Sequence, residues 1–116
     1  MKKRNLEEFG ISGPKQGRFI IILISKWCKS CKLLSPFLEK YRQQNYLEFR
    51  EIEIGTKSKL ISELKITAVP ALLFFNNGKL LNKSLEINGE MVVKDGIMIG
   101  SFNSELLEEI IHKIYS

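Results

Sequence analysis

The chain has 116 residues, 44% of them hydrophobic, and sets 18 Lys and Arg against 13 Asp and Glu for a formal charge of +5. That is enough chain for one domain over residues 1–116 whose core needs neither disulfide staples nor a structural metal, and too much apolar content for a disordered segment. The lysines are scattered, with no dense basic run and no groove-reading motif, so the charge reads as a solvated basic surface rather than a nucleic-acid interface.

The first 18 residues are weakly patterned: "NLEEF" suits a short helix, and "GISGPKQG" is a loop that breaks it. The basic start "MKKR" reads as a solvated end, since no small-residue cleavage site follows the next apolar run. That run, "FIIILI" at residues 19–24, is far short of the roughly 20 residues that span a bilayer. A cytoplasmic, non-membrane protein is expected. Short, β-branched and apolar on both faces, the run instead predicts a buried strand in the middle of a sheet.

Directly after it comes "KWCKSCK", which holds both cysteines, Cys28 and Cys31. In the following "KLLSPFLEKYRQQ", Leu34, Phe37, Leu38 and Tyr41 fall on one face of an amphipathic helix, with a kink expected at Pro36. Residues 46–54, "YLEFREIEI", predict a second strand whose alternation slips phase at Arg50 and Glu51. "GTKSKLISELKI" predicts a short helix with Leu60, Ile61 and Leu64 inward, and "AVPALLFF" a third strand begun through Pro70. Three turn pairs follow, Asn77-Gly78, Asn88-Gly89 and Asp95-Gly96, so residues 71–100 read as an antiparallel meander. The last helix, "NSELLEEIIHKIYS", has Asn103 or Ser104 as cap, early glutamates, and a buried stripe of Leu106, Leu107, Ile110, Ile111 and Ile114. The order β-α-β-α, then β-hairpin-α, implies an α/β fold with a mixed central sheet flanked by helices.

A Cys-x-x-Cys pair by itself fits a redox couple, half a metal site or two packing residues. Its place at a strand-to-helix junction favours the first. A free thiol has a pKa near 8.5, and each unit of lowering needs about 1.4 kcal/mol of preference for the anion. The unpaired N–H groups of a helix start supply that to Cys28, and Lys26 and Lys29 act in the same direction. Cys31, one turn on, is then placed to close an intramolecular disulfide. Zinc needs four ligands, and the single histidine, His112, lies on the last helix, where it reads as a surface residue. Neither a metal nor a cofactor is expected.

With "WCKSCK" after a buried strand, Pro36 in the next helix, "TAVPALLFFNNGK", and Gly100 before the last helix, the chain resembles the thioredoxin family from about Phe19 onward. The resemblance implies a thioredoxin-like three-layer sandwich and a cis Val69-Pro70 bond beside the active-site disulfide. It leaves the Val69 backbone to pair with a substrate segment, and makes Trp27 a rim residue with either a packing or a substrate role. It also implies a protein-disulfide oxidoreductase, in which Cys28 attacks a substrate disulfide and Cys31 resolves the mixed disulfide. Its partners are protein disulfides and an electron-donating reductase or thiol pool, and a monomer is expected.

Three departures from the family pattern stand out. Lys29 and Ser30 replace the usual Gly-Pro between the cysteines, and Lys29 should make the protein more oxidising. Ile22 occupies the position, six before the first cysteine, where reductases bury an acid; Glu51 is the nearest acidic candidate. Residues 78–100 exceed the family's hairpin, predicting an extra β-hairpin at the sheet edge or over one end, either widening the sheet or meeting a partner. Ile22 and this hairpin together keep a rival reading open, a thioredoxin-fold protein-binding module with a vestigial or regulatory dithiol.

Overall fold

Strand β1 (Arg18–Ile24) is the centre of the molecule. It pairs in parallel with β2 (Glu48–Glu53) on one side and antiparallel with β3 (Ala71–Asn76) on the other. The computed structural model describes residues 13, 16–25, 36, 39–40, 43, 48–56, 58–100 and 104–115. Phe19 to Leu23 and Ala71 to Phe75 are each no more than 2% exposed. A strand buried on both faces has no polar side to show, which is why both segments are continuous apolar runs rather than alternating ones.

The two faces carry separate cores. On one, Ile20, Ile22, Leu72 and Phe74 pack against Leu107, Ile110, Ile111 and Ile114 of the last helix, here α2 (Ser104–Ile114). On the other, Phe19, Ile21, Leu23, Leu73 and Phe75 pack against Leu64 of α1 (Ser58–Leu64) and Ile66 just beyond it. The fold is thus helix, mixed sheet, helix. Of the predicted helical stripes, Ile61 and Leu64 face the sheet, as do four residues of α2 with Leu106 partly buried. His112 is exposed. Between β1 and β2 the described positions Pro36, Glu39, Lys40 and Gln43 are helical. The inward stripe of Leu34, Phe37, Leu38 and Tyr41, and with it the kink expected at Pro36, lies outside the described residues, as do Leu60's side chain and Asn103.

The apolar alternation of the second strand changes face between Phe49 and Ile52, across Arg50 and Glu51 as expected, and it does so without a bulge. The β1–β2 register runs unbroken from Phe19↔Glu48 to Ile24↔Glu53. Phe49 packs toward α2 and Ile52 toward α1, as alternation requires. Arg50 and Glu51 are polar because β2 is the outermost described strand and each face is solvated there, not because the strand is bulged. Ile54 leaves the strand for a 3-10 turn, Ile54–Thr56.

The meander is corrected, in an informative way. All three turn pairs close two-residue turns: Asn76↔Lys79, Ile87↔Glu90 and Lys94↔Ile97 face each other across them. Both residues of every pair have φ between 51° and 82°, the condition for turns whose twist matches the strands. Yet strands β4 (Lys79–Leu80), β5 (Leu85–Ile87), β6 (Glu90–Val93) and β7 (Ile97–Ile99) do not form one ribbon. β4 and β7 both pair with β3, end to end, so one edge strand is built from two stretches of chain. The Leu81 N–H donates to the Phe74 carbonyl and the Phe74 N–H donates to the Gly96 carbonyl, each at 2.9 Å. One residue of β3 thereby grips both ends of an excursion, residues 82–95.

The excursion folds back as the separate β5–β6 sheet and lays Leu85, Ile87, Val92 and Val93 against the α2 core. It does not widen the central sheet. Lys83 Nζ, near its root, donates to the Ile114 carbonyl at 3.3 Å, which places a cation at the negative end of α2. Beside it, Tyr115 closes the chain onto the sheet. Its hydroxyl lies 3.1 Å from the Phe19 carbonyl and 2.8 Å from that of Phe75, and the Arg18 guanidinium sits 5.5 Å from its ring centre.

Where the two halves of the edge strand meet, the backbone is tight. Gly96 is buried at φ +80°, and a Cβ there would strike the Leu81 carbonyl oxygen. Gly89 has nearly the same φ, +82°, with open space around it. Gly96→Ala is therefore expected to lose about 2–3 kcal/mol in urea unfolding against about 1 kcal/mol for Gly89→Ala; equal losses would mean that the Leu81 contact is without consequence.

Burial pushes the Tyr115 hydroxyl well above the ordinary tyrosine range, only partly offset by its carbonyl partners and Arg18. Above pH ~10 an unfolded chain sheds this proton while the folded one keeps it, so the folded state binds more protons and stability falls as pH rises. Tyr115→Phe should lose about 1 kcal/mol at pH 7 and show a shallower decline than wild type between pH 9 and 11, which thermal melts across that range will read.

Candidate functional site

Because β1 and β3 run antiparallel, the end of one lies beside the start of the other: Leu23 is opposite Ala71. The chain leaves β1 at Ser25, at the same end of the sheet at which Val69 and Pro70 lead into β3. β7 ends there too, with Ile99 opposite Ala71 and the Gly100 N–H donating to the Pro70 carbonyl at 2.9 Å. The Val69–Pro70 peptide is cis. Pro70 is buried, and Val69 is half-buried against the α1-side core. Trp27, Cys28, Lys29 and Cys31, the remaining predicted site residues, lie outside the described residues.

Ile22 is a core residue, 1% exposed, packed with Leu72 and Phe74. Among the described residues no polar or charged side chain is buried. Glu51 is the cross-strand partner of Ile22 but is exposed. The carboxylate that reductases hold in this part of the sheet thus has an apolar replacement here, and Glu51 does not fill the same space.

Two features of this end escaped the sequence reading. Ile99 is 38% exposed, one of two large apolar side chains that are prominently so among the described residues. It shares its face of β7 with Ile97, which packs against the α1-side core, so residue type alone does not mark it as exposed. The second is Lys65. It ends α1 with φ +56°, while its N–H donates to the Ser62 carbonyl at 3.3 Å and the next N–H, of Ile66, donates to Ile61 at 3.1 Å. This is a Schellman ending, reinforced by Ile61 and Ile66 in the same core. Its left-handed position normally takes glycine, and a lysine there is strained.

A model of the thioredoxin family matches residues 3–98. The chain belongs to the thioredoxin family. It is 30% identical to a thioredoxin of Coprinus comatus over 72% of this chain and 82% of that one, and 24% identical to thioredoxin-1 of Saccharomyces cerevisiae over 73% and 84%. Among solved structures it resembles the oxidized mitochondrial thioredoxin 3 of Saccharomyces cerevisiae, with TM-score 0.63 and 23% identity over 84% of this chain and 79% of that one. A thioredoxin variant from Halobacterium salinarum gives 0.65 and 19% over 96% and 83%. The helix–sheet–helix arrangement described above is accordingly the thioredoxin fold, and the chain is a thiol-disulfide oxidoreductase.

Replacing Lys65 tests the strain directly. Lys65→Gly should raise stability by roughly 0.5–1 kcal/mol by relieving the left-handed position, measurable as a higher urea midpoint with an unchanged slope.

Proposed function

We propose that the chain exchanges disulfides with protein substrates through Cys28 and Cys31. The Cys28 thiolate attacks one sulfur of a substrate disulfide; that bond breaks, the departing sulfur takes a proton, and a mixed disulfide forms. Cys31, as thiolate, then attacks the Cys28 sulfur and the second substrate thiol leaves protonated. The balance is one substrate disulfide reduced to two thiols and one Cys28–Cys31 disulfide formed. A separate reductase or thiol pool returns the two electrons.

The observation that carries this reading is the convergence of three segments at one end of the sheet: Ser25 leaving β1, the cis Val69–Pro70 bond before β3, and Gly100 bonded to Pro70. In this reading Val69 offers its backbone to an extended substrate segment and Trp27 lines the rim. Lys29 and the helix start favour the Cys28 thiolate and make the couple more oxidising. The buried Ile22 supports a further element: with isoleucine where reductases bury an acid, and no buried carboxylate among the described residues, Cys31 is activated through water or another group, and substrate reduction is slower than in general reductases. The same observation, with the excursion, favours the second reading, a protein-binding module whose dithiol is vestigial or regulatory.

Insulin-disulfide reduction driven by dithiothreitol separates the two. Wild type is expected to accelerate precipitation at a rate several-fold below that of a typical family reductase, and Cys28→Ser to fall to the uncatalysed rate. Equal rates for wild type and Cys28→Ser would establish the binding module instead, and a wild-type rate matching the reductase would refute the slowed reduction.

A further inference from the structure

Asparagine followed by glycine is a chemically weak pair, because the glycine amide nitrogen has no side chain beside it to shield it from the asparagine carboxamide. The sequence holds two such pairs, Asn77-Gly78 and Asn88-Gly89, and in both turns each residue has positive φ. The fold treats them differently. We infer that Asn88 is a site of spontaneous deamidation in the folded protein, with water as the only co-reactant, while Asn77 is protected.

Asn77 is held twice. Its Oδ1 accepts from the Gly17 N–H and its own N–H donates to the Gly17 carbonyl, each at 2.9 Å. Attack on the carboxamide needs that group to swing over the next peptide nitrogen and the backbone to rotate out of the left-handed turn, so both bonds must break first. Asn88 lies at the tip of the β5–β6 hairpin, where Asn88, Gly89 and Glu90 are all exposed and a Cβ on Gly89 would meet nothing within 4 Å. Among the described residues neither the Asn88 side chain nor the Gly89 N–H has a hydrogen-bond partner. Freeing this tip undoes the Ile87↔Glu90 pairing and leaves the buried Val93 in place. The Asp95-Gly96 turn marks the opposite extreme: Gly96 is buried and its N–H donates to the Lys83 carbonyl at 2.8 Å, which closes it to the corresponding reaction.

At Asn88 the Gly89 nitrogen, giving up its proton, bonds to Cγ; the Cγ–Nδ2 bond breaks and ammonia leaves with that proton. The cyclic imide then takes up water. Addition at Cγ opens it to aspartate, and addition at the Asn88 backbone carbonyl opens it to isoaspartate, whose chain runs through the side-chain carbon. No electrons are transferred; a carboxamide and water become a carboxylate and ammonium. Either product adds a negative charge to a hairpin end that already carries Glu86 and Glu90. Isoaspartate also lengthens the two-residue turn by a backbone carbon, which the Ile87↔Glu90 pairing does not accommodate. Ile87, half-buried against the α2 core, then loosens. The tip of the excursion thus changes irreversibly with age while its two ends stay bonded to Phe74.

The test incubates the full chain in mildly alkaline buffer, with and without denaturing urea, and follows both asparagines by peptide mass mapping. In the folded protein Asn88 should convert at least about tenfold faster than Asn77, as expected from the two hydrogen bonds that hold Asn77. In urea the two rates should agree within about threefold, since the dipeptides are the same. Comparable rates in the folded protein, or an Asn88 that stays intact while the unfolded chain converts, overturn the proposal. A tenfold gap that persists in urea belongs to the local sequence and overturns it too. Gly89→Ala should slow conversion at Asn88 by roughly tenfold and leave Asn77 as it was; an unchanged rate at Asn88 refutes the imide route. The isoaspartate fraction, separated by chromatography, should have a lower urea midpoint than Asn88→Asp, which carries the new charge on an unlengthened backbone. Equal midpoints refute the opening of the turn.

Discussion

The antiparallel pairing of β1 with β3 is the constraint from which the rest of the molecule follows. Each strand buries both faces, so neither can slide by one residue without moving its whole side-chain set into the opposite core. With the register fixed, Leu23 must face Ala71, and the segment carrying the cysteines must leave the sheet where Pro70 begins the next strand. In the exchange reading, the site is thus brought to one end by hydrogen bonds made in the middle of the protein, between residues with no chemistry of their own. The same pairing sets Phe19 against Phe75, whose carbonyls hold the Tyr115 hydroxyl and so tie the last residues of the chain to the opposite end of the sheet.

On the far side of β3 the constraint is looser, and the chain exploits it. An edge strand needs only enough pairing to cover the backbone of its neighbour, and two short stretches serve as well as one long one. β4 covers the C-terminal part of β3 and β7 the N-terminal part, with Phe74 bonded to both at the join. What lies between can then grow without disturbing the sheet, provided its two ends stay close together. Gly96 meets that condition by letting one backbone pass against the Leu81 carbonyl. The hairpin that results is anchored rather than pendant: Val93 is fully buried under α2, and Lys83 bonds the end of that helix.

Much of this was legible in the residues, and the limits have physical causes. The buried strands announced themselves because double-sided burial leaves a continuous apolar run, and the helices because their stripes hold to a 3.6 period. The turn pairs were read correctly down to the residue, since positive φ at two successive positions is a local demand that Asn-Gly and Asp-Gly meet anywhere. Which strands those turns would join was not legible. Hydrogen-bonded pairing across β3 is non-local, and nothing in residues 82–95 says that their ends meet at Phe74. At the site, Pro70 and Gly100 were legible as motif residues, whereas Ile99 and Lys65 were not, because what matters in them is exposure and backbone angle rather than residue type.

The substitution at Ile22 links the core to the chemistry. A carboxylate beneath a dithiol can relay a proton only if it is held in the interior, where an unpaired charge is costly to bury and raises its own pKa. Isoleucine removes that penalty and adds packing against Leu72 and Phe74, so the central sheet gains where proton transfer loses. Relief of that burden also alters what the protein can be used for. In the exchange reading proposed above, a dithiol that has isoleucine at position 22 in place of a buried acid is poorly suited to rapid, indiscriminate reduction. It is better matched to substrates that stay bound while exchange proceeds.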